Sequence, residues 1–183
     1  MAATLTPVLL RCRATRSTID GVEPVKYVER LAHRYGQQGF PPYQWTINTE
    51  APLTPLRRPL AECRVAMLTS GGVSRCAAAS WDPDARNDFR LDVIDADAPA
   101  DDFQVHDSYY ETDSAVEDIN CVFPIERLRE FAAEGVIGSV AERQWSGFMG
   151  RIYKRQHVLE VAAPAFAAEL GRDEVDLALL VPA

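Results

Sequence analysis

Three stretches of this 183-residue chain hold side chains that could do chemistry. In Thr69-Ser70-Gly71-Gly72-Val73 the two glycines lack the Cβ that would block close approach, so backbone N–H groups can reach a carboxylate or a phosphate. A lone Gly-Gly is equally readable as a tight turn, and the other glycines of a dinucleotide fingerprint are absent. Cys76 follows the loop; a helix opening there would lower its thiol pKa and make it a nucleophile or redox partner, the other reading being a buried, inert thiol. The third stretch, His106 to Asn120, packs His106, Asp107, Tyr109, Tyr110, Glu111, Asp113, Asp118 and Asn120 into a segment too polar for a core. It is a surface loop or part of a pocket.

Metal chemistry is not written in the chain. Cys12, Cys63, Cys76 and Cys121 form no CxxC pair, and His33, His106 and His157 are scattered, so no zinc spacing is present. The cysteines read mostly as small buried hydrophobes, and a domain of this size does not need disulfides. Asp95, Asp97, Asp101 and Asp102 lack the central Gly and terminal Glu of an EF-hand loop, which leaves a solvated loop.

Composition narrows the classes. With 47% hydrophobic and 25% charged residues the chain is an ordinary globular one. The net charge of −8 is concentrated in residues 82–120, which hold thirteen Asp/Glu against two Lys/Arg. Such a surface repels phosphate backbones, so nucleic acid is not an expected partner. Its apolar runs are shorter than the about 20 residues of a membrane span. Arg11, Arg13 and Arg16 follow the first apolar stretch, where a secretory signal carries its charge before it, so the expected location is cytoplasmic.

The elements that must position these residues follow from periodicity. Val25–Gln38 opens after Pro24 and repeats Val28, Leu31, Ala32 and Tyr35 at helical spacing. Phe40–Pro59, with Pro41, Pro42, Pro52, Pro55 and Pro59, predicts an extended connector lying over the domain. Arg64–Thr69 is a continuous apolar run ending at Ser70-Gly71-Gly72, the pattern of a strand covered on both faces. Phe89–Ile94 alternates as a second strand. Pro124, the apolar face Ile125, Leu128, Phe131 and Ala132, and Gly135 bound a helix. Val136-Ile137-Gly138 reads as a short strand or turn. A helix over 154–170, kinked by Pro164 and closed by Gly171, leads into the apolar strand Asp176–Val181. Strand, glycine loop, helix and strand predict an α/β fold: three layers, a mostly parallel sheet with flanking helices of Rossmann-like or flavodoxin-like type, incomplete at its C-terminus. Residues 1–62 form an N-terminal helix and connector, and residues 63–183 the α/β domain.

VAMLTSGGV (65–73), HDSYYETDSAVEDINCVFPIERLREFAAEGVIGSVAERQWSGFMG (106–150) and VDLALLVPA (175–183) together resemble the selenoprotein B family of glycine, sarcosine, betaine and D-proline reductases, most closely its shorter D-proline-reductase-like members. The resemblance spans roughly residues 63–183. It implies a reductase that cleaves a C–N bond of a small amino acid or amine with a selenol or thiol, passing oxidising equivalents to a dithiol/disulfide couple. In such families the selenocysteine or its cysteine replacement follows a strand like LLVPA, so it is expected immediately after Ala183, the chain being a reading truncated at a UGA codon. No other cofactor is expected.

Beside that resemblance, the Ser70-Gly71-Gly72 loop is the candidate holder of a substrate carboxylate, with Asn120 a further binding residue. His106 and Asp118 are candidates to orient the amine or move protons, and Cys76 is a candidate thiol. A partner reductase subunit and a homo-oligomer are further expectations. The alternative reading is a non-catalytic α/β binding subunit of a larger complex, pairing through the connector and the acidic segment. A racemase-like enzyme with two thiols lacks a second cysteine at a later strand end.

Overall fold

The computed structural model describes residues 26–42, 49–50 and 54–183. The chain divides into two units, Met1–Pro52 and Leu53–Ala183. In the first, α1 (Tyr27–Gln37) begins and ends close to the helix expected over 25–38, and Gly39 follows its end at φ +79°. None of its residues is buried. The expected connector over 40–59 falls partly on residues outside the described ones, and so does its placement over the domain.

The second unit is built around β1 (Arg64–Thr69), the apolar run expected to be a buried strand. One edge of β1 pairs in parallel with β7 (Leu177–Val181), from Val65 opposite Leu177 to Thr69 opposite Val181. The other edge pairs in parallel with β5 (Ser139–Val140) and then with β6 (Arg143–Gly147). β3 (Leu91–Asp95) lies beyond β6 and runs antiparallel to it, so the sheet is mixed and mostly parallel. The α/β expectation holds.

Ala141 and Glu142 break the ladder between β5 and β6, and the buried side chain of Gln144 repairs it. Its Oε1 accepts from the Met67 N–H at 2.7 Å, and its Nε2 donates to the Ala141 carbonyl at 2.6 Å. Both would otherwise be buried without partners, a cost of about 1–3 kcal/mol each.

Alternation along the strands sends Val65, Met67 and Ile94 to one face, where they meet Phe123 and the buried Ile125 and Leu128 of α3 (Ile125–Ala133). Phe131, expected on that apolar face, is instead exposed; Ile125 and Leu128 supply the contact. Gly135 ends the region at φ +73°, as its position after the helix requires. Gly138 passes so close to Glu62 that a Cβ would meet its carbonyl carbon at 2.6 Å. Val136-Ile137-Gly138 is therefore a turn, with strand pairing starting at Ser139.

The opposite face is covered by one continuous helical stretch made of α4 (Arg155–His157), a π-turn (Val158–Ala162) and α5 (Ala163–Arg172). The expected kink at Pro164 is accommodated by the wide turn before it, because proline has no N–H to donate and its ring crowds the preceding turn. Phe166 anchors this stretch edge-on against Trp145, ring centroids 5.5 Å apart. Arg143 ties its end to β6 with paired bonds to Asp173, the nearest at 2.7 Å, and an ion pair to Glu169.

Two expectations are corrected. The glycine loop leads not into a helix but into β2 (Val73–Arg75), which pairs antiparallel with β4 (Phe103–Val105) in a separate two-stranded sheet. Both strands are short and β4 stands in an acidic stretch, so their pattern was faint. Asp95–Asp102 is not simply solvated: Ala96 and Ala98 are buried, and their carbonyls accept from the Arg129 guanidinium on α3. Alternating Asp and Ala send the carboxylates outward while the small side chains pack.

Candidate functional site

The carboxyl ends of β1 and β7 finish together at the glycine loop. Val181 accepts from the Ser70 N–H at 3.1 Å, and the Ala183 N–H donates to Ser70 Oγ at 3.2 Å. Gly71 is buried between Val122 and Ala183; a Cβ there would lie 3.1 Å from the Val122 Cβ and 3.3 Å from the Ala183 Cβ. Buried Thr69 braces the turn, its hydroxyl donating to the Val122 carbonyl at 2.6 Å and accepting from the Gly71 N–H at 3.0 Å. Tyr110 closes it from the other side, donating its phenol to the Gly71 carbonyl at 2.8 Å. Burial, with the nearby Asp107 charge second, pushes the Tyr110 phenol up to about 12, so it stays a donor.

Gly72 joins this loop to the two-stranded sheet. Its φ is +66°, its carbonyl accepts from the His106 N–H at 2.9 Å, and a Cβ would land on the His106 carbonyl. Met149, after β6, comes to the same place, its Cε 3.2 Å from where that Cβ would stand. Ser70, Gly71, Gly72 and the backbone of His106 are therefore one assembly.

The side chains of His106 and Asp118 face a different space, a groove of about 600 Å³ between β4 and α2 (Asp113–Glu117). The Nδ1 of His106 is buried and has no hydrogen-bond partner. Hydrogen bonds from the side chain and then the backbone of Asn120 hold the Asp118 carboxyl below the usual carboxylate range. Asn120 is already engaged: its Nδ2 donates to Asp118 and, at 2.7 Å, to Glu126, and its Oδ1 accepts from the Glu126 N–H at the start of α3. That is the work of a helix-end bracket.

Cys76 stands apart. It is exposed, its N–H donates to the Asp102 carbonyl, and it lies past the far end of β2, about 13 Å along an extended chain from Gly72. The helix expected to activate it is replaced by the turn after β2. Of the described cysteines Cys63 is buried, whereas Cys76 and Cys121 are exposed, against the expectation of mostly buried thiols. Among the described residues no group of His, Cys, Asp and Glu could hold a metal ion. Nor is any described helix long and apolar enough to cross a membrane.

Thr69, Tyr110 and Met149 were missed as parts of the site. Thr69 and Tyr110 had a signal, standing in the stretch 69–73 and in the polar segment after His106; Met149 had none, since its role comes from contacts far along the chain.

The glycine loop, the His106 segment and the closing strand thus converge, and they are the stretches that carried the family resemblance. The family model for glycine/sarcosine/betaine reductase selenoprotein B matches residues 42–182. The chain belongs to this selenoprotein B family. Among curated proteins, the D-proline reductase subunit gamma of Acetoanaerobium sticklandii is 34% identical over 127 residues, covering 69% of this chain and 51% of that protein. The chain thus spans about half the length of the curated relative it matches. No solved structure matches. In this selenoprotein B family member, the matched region takes in the whole sheet, both sides of the glycine loop and the β4–α2 groove.

Proposed function

We propose that this chain belongs to a selenol- or thiol-dependent reductase that cleaves the C–N bond of a small amino acid or amine. In the overall reaction the C–N bond breaks, carbon and nitrogen each gain a hydrogen, and two thiols are oxidised to one disulfide. One observation supports the reading above the rest: Ala183 is bonded to Ser70 and packed on Gly71, so a residue following it would begin at the glycine loop. A selenol or thiol at that position would supply a soft nucleophile that ionises near neutral pH.

The chain's own residues would do the remaining work. The Ser70 hydroxyl and the Gly71-Gly72 turn would receive a substrate carboxylate, with Thr69 and Tyr110 holding the turn in shape. His106 and Asp118 would orient the amine or move protons only for a substrate that reaches into the β4–α2 groove, since their side chains face that groove and not the loop, and Asn120 would act through Asp118 instead of on the substrate. Cys76, distant and exposed, would be no substitute at the loop. The partners in this reading are a small amino acid or amine and a second reductase subunit.

The test is to read the gene past codon 183 and to assay the encoded protein, with its partner subunit, for dithiol-dependent reduction of D-proline, betaine and glycine. UGA with an open frame beyond it, and turnover that needs the residue it encodes, is the expected result. Equal turnover by the 183-residue chain alone would overturn the assignment of the nucleophile. No turnover of any of the three by the encoded protein would favour a non-catalytic subunit, a reading that the exposed Leu179 and Leu180, on a strand paired among the described residues only with β1, also suit.

A further inference from the structure

The groove beside β4, from which the reductase reading draws only His106 and Asp118, has three properties that this reading does not use. The first is a strand edge. Among the described residues β4 pairs with β2 alone, and the ladder bonds use the His106 N–H, the Asp102 carbonyl and the Gln104–Ser74 pair. Backbone groups alternate across an antiparallel strand, so those of Phe103 and Val105 face away from β2, and both residues line the groove. The second is charge: Asp101, Glu117, Asp118 and Glu126 line it, with no Lys or Arg. The third is its wall, where the half-buried Phe103 and Val105 offer apolar surface, backed by the buried Ala115 and Ile119.

We propose that this groove binds an extended, lysine- or arginine-bearing segment of a partner protein, which adds to β4 as a third strand. Backbone bonding to Phe103 and Val105 supplies affinity, alternate apolar side chains rest on the groove wall, and the cationic ones meet the carboxylates. Charge complementarity selects the partner: residues 82–120 concentrate thirteen acidic residues against two basic ones, and three of the groove's four carboxylates, Asp101, Glu117 and Asp118, lie in this block. A small organic cation would match the charge but leave the strand edge unpaired. The proposal concerns binding and not turnover, and the variant that tests it leaves His106 and Asp118, which the reductase reading uses, untouched.

The experiment titrates the full chain with a short synthetic peptide alternating lysine and valine, observed by amide NMR. Three comparisons accompany it: the same peptide N-methylated at alternate residues, a glutamate–valine peptide, and spermine. Expected are shifted, exchange-protected amides at Phe103 and Val105, and binding about tenfold weaker for the better N-methylated register. The double variant Asp101→Asn, Glu117→Gln, at two exposed positions, keeps the fold and also binds about tenfold more weakly at low salt. Equal binding of the N-methylated peptides, equal binding of spermine, or no binding of the lysine–valine peptide would each overturn the proposal.

Discussion

Gly72 carries two demands that no other residue type meets together: φ of +66° and a neighbouring carbonyl, that of His106, in the space a Cβ would take. Gly72→Ala is expected to cost about 1–3 kcal/mol, read as a lower urea midpoint, and to shift the amides of both Gly71 and His106. Tyr110 poses a different question, because its phenol is half-buried and already spent on the Gly71 carbonyl. Tyr110→Phe should lose about 1 kcal/mol. The pH dependence has a definite sign. The folded-state value is raised from 10.0 to about 12, so the stabilisation is full below 10.0 and is lost as pH rises through about 12. The variant should lack that alkaline limb in a stability-against-pH series, and a phenol titrating last should vanish from its absorbance titration.

Among the elements, β1 is covered on both faces and paired on both edges, which is why its apolar run was readable without alternation. β6 was missed for the opposite reason. Its sequence, RQWSG, is polar by composition, yet Gln144, Trp145 and Ser146 are all buried. Gln144 is there as backbone, standing in for ladder groups that the Ala141–Glu142 interruption removes. Gln144→Leu, close in volume, should therefore destabilise by about 1–3 kcal/mol for each group left unpaired, and Met67 should lose amide-exchange protection before its neighbours. A substitution that only traded packing would show neither effect. The terminal helix was legible from its spacing and from Pro164, but the π-turn that absorbs the proline was not, because periodicity reports a helix without reporting its local pitch.

For the whole molecule, every buried apolar side chain of the described residues lies at Cys63 or later, while α1 buries none. A chain beginning at Leu53 is therefore expected to unfold cooperatively on heating, with the near-ultraviolet signal of Trp81 and Trp145 lost in the same transition as the helical signal. Two separated transitions in that fragment would contradict a single core. The family likeness draws its specific stretches from this same unit, and these stretches meet at the carboxyl end of the sheet, though 113 residues separate Ser70 from Ala183.

Amino-acid order alone determined what depends on near neighbours: the apolar run of β1, the bounds of α3, the loop punctuated by Gly71 and Gly72, and the acidic character of residues 82–120. It also marked His106 and Asp118 as polar residues worth placing, without saying where. Folding decided the rest, because hydrogen-bond partners and burial are relations between residues far apart in the chain. It turned Asn120 to a helix end, left Cys76 exposed beyond the far end of β2, sent the side chains of His106 and Asp118 into a groove, and set Ser70 and Gly71 against Ala183. Spacing along a chain constrains distance over a few residues; beyond that, only the packed core sets it.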